Sequence, residues 1–299
     1  MNLFEILKIY ADVLENEPMK KHTTFRIGGF VDYYIYPKDV LSLMQIIKYL
    51  NKENISYKFV GRGSNLLWDD NPFHGVVINL DRTLNDYYIQ EDGTVLAWAG
   101  CSIINLAIEM AKNSLTGLEF ASGIPGSIGG GIYMNAGAYK SDLSQVLESV
   151  LVLKDDVMEW IDKENLEFGY RKSIFQKNKN WIILAAKFHL EKGDKEEIQS
   201  LMESRRNRRV ESQPLDKPCA GSVFRNPSEM PAWKLVEELG LRGYQVGGAQ
   251  VSNKHCNFIV NENGQASAKD VRDLIAMIQD KAKEKFNIDL VTEVEKFIC

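Results

Sequence analysis

With 299 residues, 44% of them hydrophobic, the chain is long enough for two or three domain cores. A formal net charge of −5 excludes a general attraction to nucleic acid or to an anionic membrane. No apolar run reaches membrane-spanning length and no secretory leader precedes the first elements, so a cytoplasmic protein is expected. Cys101, Cys219, Cys256 and Cys299 are scattered without a CxxC pair, which predicts neither a disulfide frame nor a metal site.

Residues 1–20 read as a helical arm. Residues 32–36 read as a strand ended by Pro37. Val40, Leu43, Met44, Ile46, Ile47 and Leu50 then recur at helical spacing before a short strand at 57–60, a β-α-β unit. The loop Gly61-Arg62-Gly63-Ser64-Asn65-Leu66 leaves its exit. Residues 76–80 are strand-like, and 87–90 with 94–98 form a hairpin through Asp92-Gly93. Residues 102–113 read as a buried helix.

That helix leads into residues 121–139, where Gly123, Gly126, Gly129, Gly130 and Gly131 lie among apolar residues. Glycine loses more conformational entropy on folding than other residues, so such a run indicates close approach of backbone to something else. No Gly-Lys-Ser/Thr follows, which argues against a P-loop, and Gly61-x-Gly63-x-x-Leu66 lacks the third glycine of a Rossmann fingerprint. Backbone N–H groups with Ser64, Asn65, Ser127 and Asn135 suit a pyrophosphate held without lysine. Either loop alone also reads as a tight packing turn; the pair points to a large phosphate-bearing cofactor.

Further strands are expected at 150–153, 157–161 and 181–190, and a helix at 194–209. Residues 211–218 read as a link to a third unit with a helix at 233–239 ended by Gly240 and a strand at 257–260. Ser267 and Asp270 form a capping box for a helix reaching Phe286, and a last strand is expected at 290–298. Arg205, Arg206, Arg208 and Arg209 read as a solvated helix face, and His255-Cys256 as structural. Gly221-Ser222 is not a GxSxG elbow. Arg171 sits among aromatic and apolar residues, where a desolvated guanidinium holds a carboxylate well. Ser222 precedes Phe224, Arg225 and Asn226, and Glu293 and Glu295 share one face of an alternating segment. Singly, these are also a surface arginine, a turn serine and solvent-facing glutamates.

Together, residues 22–29, 61–67, 122–139, 170–175, 221–227 and 255–261, with Glu293-Val294, make the chain resemble the UDP-N-acetylenolpyruvoylglucosamine reductases. The short passage from Gly240 to Asn257 resembles the shorter of that family's two types. The resemblance implies an α+β fold: an FAD-binding unit of the PCMH or vanillyl-alcohol-oxidase kind, with subdomains at 1–80 and 81–210. A substrate-binding α+β domain at 211–299 follows, whose last strand returns to the FAD unit. Gly61, Arg62, Gly63, Ser64, Asn65, Leu66, Ser122, Gly123, Pro125, Gly126, Ser127, Gly129, Gly130, Asn135 and Gly137 would hold FAD. Arg171, Ser222 and Glu293 fall on the family's catalytic positions, and Tyr170, Arg225 and Asn226 on substrate contacts. Trp68 stands where smaller residues are common, near the expected adenine.

The implied reaction is reduction of UDP-N-acetylenolpyruvoylglucosamine to UDP-N-acetylmuramate by NADPH through FAD, in peptidoglycan precursor synthesis, by a monomer. Arg171 and a protonated or hydrogen-bonded Glu293 would stabilise enolate character, and Ser222 would donate the proton. Two alternatives stay open. One is an FAD oxidase of the same fold, although residues 61–70 hold no histidine for covalent flavin attachment. The other is a non-catalytic nucleotide-binding module.

Overall fold

The computed structural model describes residues 2–298; Met1 and the fourth cysteine, Cys299, lie outside the described residues. Two compact units are formed. Unit 1 comprises the segment up to Glu15, Tyr33–Arg62 and Gly75–Asn207; unit 2 comprises Asn16–Asp32, Gly63–His74 and the chain from Arg208 onward.

Unit 1 opens with α1 (Leu3–Tyr10), begun by a capping box in which Asn2 and Glu5 exchange hydrogen bonds. The expected arm to residue 20 is therefore too long. Ala11 is already extended (φ −148°), and Ala11–Pro18 is a strand whose backbone groups join a sheet. That sheet runs in the order Ala11–Pro18, Phe30–Pro37, Phe73–Ile78, Tyr57–Phe59. The last two strands are parallel, with Tyr57 opposite Val76. The strands expected to form the β-α-β unit thus have Phe73–Ile78 between them. Between them in sequence, α2 (Val40–Lys52) buries Leu43, Ile46, Ile47 and Leu50 with Val76 and Ile78, one apolar stripe at helical spacing.

A second, fully antiparallel sheet follows the order Val157–Asp162, Leu147–Lys154, Ile182–His189, Thr94–Trp98, Tyr87–Ile89. Two tight turns join its strands, of which Asp92-Gly93 is as expected. Gly93 has φ +87° with the Thr94 N–H donating to Asp92 Oδ1 at 2.9 Å, and Asp155 and Asp156 both adopt positive φ, as a type I′ hairpin requires. On this sheet packs α3 (Ile103–Lys112), capped by Ser102, which buries Leu106, Ala107 and Met110 with Val95, Val150 and Phe188. The glycine-rich segment contains α4 (Ile128–Met134). Glycine is a poor helix former, but a Cβ on Gly131 would come within 2.6 Å of Ile103 Cδ1 and 2.8 Å of Leu143 Cδ1, so close packing requires it. The helix α5 (Lys195–Ser212) buries Ile198, and the chain passes from unit 1 to unit 2 within it, so the expected link starts later. Arg206 and Arg208 are exposed on it, and the Arg205 guanidinium lies 5.0 Å from the Tyr139 ring.

Unit 2 contains α6 (Ala232–Glu238), an antiparallel sheet of Gln245–Val246, Ala249–Val251 and Ile259–Asn261, and α7 (Ala268–Phe286). The Ser267–Asp270 capping box starts α7, whose Val271, Leu274, Ile275 and Ile278 join Leu235, Val236, Val251 and Ile259 in one core. Two expected strands change bounds for identifiable reasons. Residues 257 and 258 drop out of the 257–260 strand: the Phe258 N–H closes a turn on His255 O, and the Asn257 side chain is engaged with Phe224. The 290–298 strand is split: residues 291–293 bond to 223–225, and only Glu295–Phe297 pairs, in parallel, with Leu66–Trp68. Trp68 is buried there, its ring 4.0 Å from that of Phe297. Among the described residues, no helix is long and apolar enough to cross a membrane.

Candidate active site

In unit 1 the loop after Tyr57–Phe59 is fixed from below by Asn79, which is 2% exposed. Its Nδ2 donates to Gly61 O (3.0 Å) and the Tyr34 hydroxyl (2.8 Å), while Oδ1 accepts from the Asp81 N–H (2.7 Å). Burial pushes the Tyr34 hydroxyl far above the ordinary phenol range, so it serves as a neutral partner. A Cβ on Gly61 would lie 2.5 Å from Ser127 Oγ, so the two glycine loops meet at this point. Ser127 caps α4, accepting from the Gly130 N–H at 3.4 Å, and a Cβ on Gly130 would meet only that Oγ, at 3.5 Å.

The remaining predicted loop residues are placed less uniformly. Ser122 donates its hydroxyl to Glu119 O (2.9 Å), Gly126 O accepts from the Ile103 N–H (3.1 Å), and Arg62 and Pro125 are exposed. Behind the loop, burial pushes the Cys101 thiol up to about 11, an unreactive thiol.

At the far end of α4, Asn135 is a left-handed C-cap (φ 44°) and 1% exposed. Its Nδ2 donates to Gly169 O (3.0 Å) and its Oδ1 accepts from the Ser144 N–H (3.1 Å). Gly169 and Lys172 exchange backbone hydrogen bonds at 3.1 Å, closing a turn that carries Arg171 in the left-handed region (φ 54°). The Arg171 guanidinium donates to Gly137 O (2.6 Å) and Asn135 O (3.4 Å) and lies 5.2 Å from the exposed Tyr170 ring. Unit 1 thus gathers Gly61, Ser127 and Gly130 at one end of α4, and Asn135, Gly137, Tyr170 and Arg171 at the other.

In unit 2, Gly63 takes φ +60°, and a Cβ there would lie 2.0 Å from His22 O. Asn65 Nδ2 donates to Glu293 O (3.1 Å), and Asn65 O accepts from the Glu295 N–H (2.9 Å), where Leu66 begins its strand. The Glu293 N–H in turn donates to Val223 O (2.7 Å). The buried Asn257, from a third segment, accepts from the Phe224 N–H (3.0 Å) and donates to Phe224 O (2.9 Å). Gly221 supplies φ +74°, and the half-buried Ser222 follows; no hydrogen-bond partner for its hydroxyl is found among the described residues. Arg225 Nε is buried without a hydrogen-bond partner, while Asn226 Oδ1 accepts from the Ala232 N–H at the start of α6 (3.0 Å). Asn65 and Val223, the neighbour of Ser222, are therefore both hydrogen-bonded to the 293–295 stretch. His255 is half-buried with its ring 4.8 Å from that of Phe258, and burial lowers its pKa, in keeping with a structural role.

Asn79 and Asn257 organise these loops and are absent from the residues read as functional. The available signals were an amide closing the apolar run 76–78 and another following His255-Cys256. Around Gly61, Ser127 and Gly130, unit 1 offers backbone N–H groups and a hydroxyl, with the exposed Arg62 next in the chain and a glycine at 61 where a Cβ would collide with Ser127. That set fits the pyrophosphate of a dinucleotide such as FAD.

Comparison with known proteins agrees. Residues 31–158 match the FAD binding domain family, and residues 213–297 match the C-terminal domain of UDP-N-acetylenolpyruvoylglucosamine reductase. The fold is thus that of an FAD-binding, PCMH-like flavoprotein with a C-terminal α+β domain. The chain is 48% identical to the UDP-N-acetylenolpyruvoylglucosamine reductase of Bacillus licheniformis over 285 residues, 95% of this chain and 93% of that one. It is 46% identical to the enzyme of that name from Bacillus subtilis, with the same coverage. The solved UDP-N-acetylenolpyruvylglucosamine reductase of Thermus caldophilus superposes with a TM-score of 0.80 at 32% identity, covering 96% of this chain and 99% of that one. The chain belongs to the UDP-N-acetylenolpyruvoylglucosamine reductase family and is a flavin-dependent oxidoreductase.

Proposed function

We propose that the chain reduces UDP-N-acetylenolpyruvoylglucosamine to UDP-N-acetylmuramate with NADPH as the electron source, in peptidoglycan precursor synthesis. The observation that supports this best is the 2.7 Å bond from the Glu293 N–H to Val223 O, which ties the backbone of Glu293 to the segment carrying Ser222. FAD, when bound, supplies the hydride that NADPH delivers and the enolpyruvyl double bond receives.

The roles of the chain's own residues follow from their chemistry. Gly61, Ser127 and Gly130 of unit 1 are proposed to bind the pyrophosphate, and Gly63, Ser64, Asn65 and Leu66 are proposed as further FAD contacts. Arg171 is oriented by two carbonyls, Asn135 O and Gly137 O, and its planar fork suits the substrate carboxylate. Once hydride reaches the terminal carbon, negative charge develops toward that carboxylate, and Arg171 and Glu293 are proposed to stabilise it. Ser222 then protonates the adjacent carbon. A serine hydroxyl is a weak acid, and a basic enolate provides the driving force it needs. Arg225, with a buried unpartnered Nε, is proposed to bind an anionic group of the substrate nucleotide, and Tyr170 and Asn226 to contact the substrate. Residues 1–80 and 81–210 are proposed as FAD subdomains, and 211–299 as the substrate domain.

The test is anaerobic. NADPH should bleach the flavin, and the enolpyruvyl nucleotide should restore the oxidised spectrum while gaining two hydrogens. Acid precipitation should leave all yellow colour in the supernatant, because neither glycine loop offers a histidine or cysteine for attachment. Rapid reoxidation by oxygen without nucleotide reduction would favour the oxidase reading, and a colourless protein would favour a binding module.

A further inference from the structure

We propose that Gln176 is a positioning residue for Arg171, holding it in the conformation used for the carboxylate of the substrate. The inference rests on the role assigned to Arg171 above. Gln176 closes the 3-10 turn Ile174–Gln176, and its Nε2 donates to Arg171 O (3.1 Å) and Tyr133 O (3.2 Å). One amide therefore ties the turn that carries the arginine to the last turn of α4.

Two facts separate this from ordinary stabilisation. Arg171 is a non-glycine residue in the left-handed region (φ 54°), a conformation disfavoured for an L-residue unless its surroundings enforce it. Its own carbonyl is the group that Gln176 holds. Tyr133 O, by contrast, also accepts from the fully buried Ser173 hydroxyl at 2.7 Å. Removing the Gln176 amide thus leaves the end of α4 satisfied and releases the arginine backbone. Asn135 secures the other side of the turn through Gly169 O (3.0 Å), so the guanidinium is aimed by a backbone clamped at both ends. Small errors in aim are expensive in catalysis: a displacement of about 1 Å can cost ~10²-fold.

The experiment compares Gln176→Met, which keeps the length and removes both N–H donors, with Arg171→Ala and the double variant. Flavin occupancy, thermal midpoint of the apoprotein, bleaching by NADPH and reoxidation by the enolpyruvyl nucleotide are measured for each. In Gln176→Met, reoxidation should slow roughly 10–100-fold while occupancy, midpoint and bleaching stay at the wild-type level. In the Arg171→Ala background the second substitution should add nothing, since the group it positions is gone. A crystal structure of Gln176→Met should show Arg171 out of the left-handed region. Equal losses in both half-reactions with a lowered midpoint, or additive effects in the double variant, would overturn the positioning role. Arg171→Ala with unimpaired reoxidation would instead remove the catalytic reading itself, a result distinct from failure of Gln176→Met alone.

Discussion

The glycine loops of unit 1 and the Ser222 segment of unit 2 are held in opposite ways. Around α4 the backbone is the proposed cofactor surface, and neighbouring atoms at Gly61 and Gly131 leave no room for a Cβ. Around Ser222 the backbone is support: Gly221 turns the chain, Asn257 and residues 291–293 pin it, and a side chain is left to act. A cofactor site made of N–H groups is tuned by excluding side chains. A proton-transfer site is tuned by holding one still.

The largest expected effect falls on Ser222. Ser222→Ala should bind FAD and be bleached by NADPH normally, with turnover per bound flavin down ~10²–10⁴-fold. Partial recovery in Ser222→Cys would sharpen the claim, and near-normal turnover in Ser222→Ala would break it.

The two buried amides give a matched pair. Asn79→Leu leaves the Tyr34 hydroxyl and Gly61 O without their donor, and Asn257→Leu does the same to Phe224. Each should cost about 1–3 kcal/mol of stability, read from denaturant midpoints. If the contrast holds, flavin titration should show weakened FAD binding in Asn79→Leu alone. Asn257→Leu should keep FAD and lose kcat. The reverse assignment would dissolve the distinction between the two regions.

The smallest effect concerns the start of α7. Burial opposes ionisation of Asp270, but the N–H groups of Ser267 and Gly248 outweigh it and hold the carboxyl below its usual range. A depressed native pKa contributes stability that is fully present above the unfolded value, about 3.9, and is lost as pH falls through the native one. Asp270→Asn should lower stability at neutral pH by ~0.3–1 kcal/mol, the range for a charge near a helix N-terminus. The gap to wild type should close in acid, and a gap independent of pH would show that charge is not involved.

Legibility in the sequence followed the range of the interactions. The Ser267–Asp270 box and the Asp92-Gly93 turn are local, and both read directly. α4 was hidden because glycine argues against helix; its stabilisation comes from packing against Ile103 and Leu143. The split of the last strand depends on Val223 and Asn65, far away in the chain. Arg171, Ser222 and Glu293 are ordinary residues one at a time, and only the family resemblance drew them together. Asn79, Asn257 and Gln176 bond to groups 18, 33 and 43 positions away, beyond any local pattern.

The parallel pairing of Glu295–Phe297 with Leu66–Trp68 also orders events during synthesis. The unit 2 core joins Phe25 and Leu67 to Val294, which is made much later in the chain. A ribosome releases the chain in sequence, and long-range pairing waits for its later partner. Asn16–Asp32 and Gly63–His74 therefore leave the exit tunnel long before the surface they belong to exists. Their apolar residues, Phe25 and Leu67 among them, lack those core partners until the later segment is made.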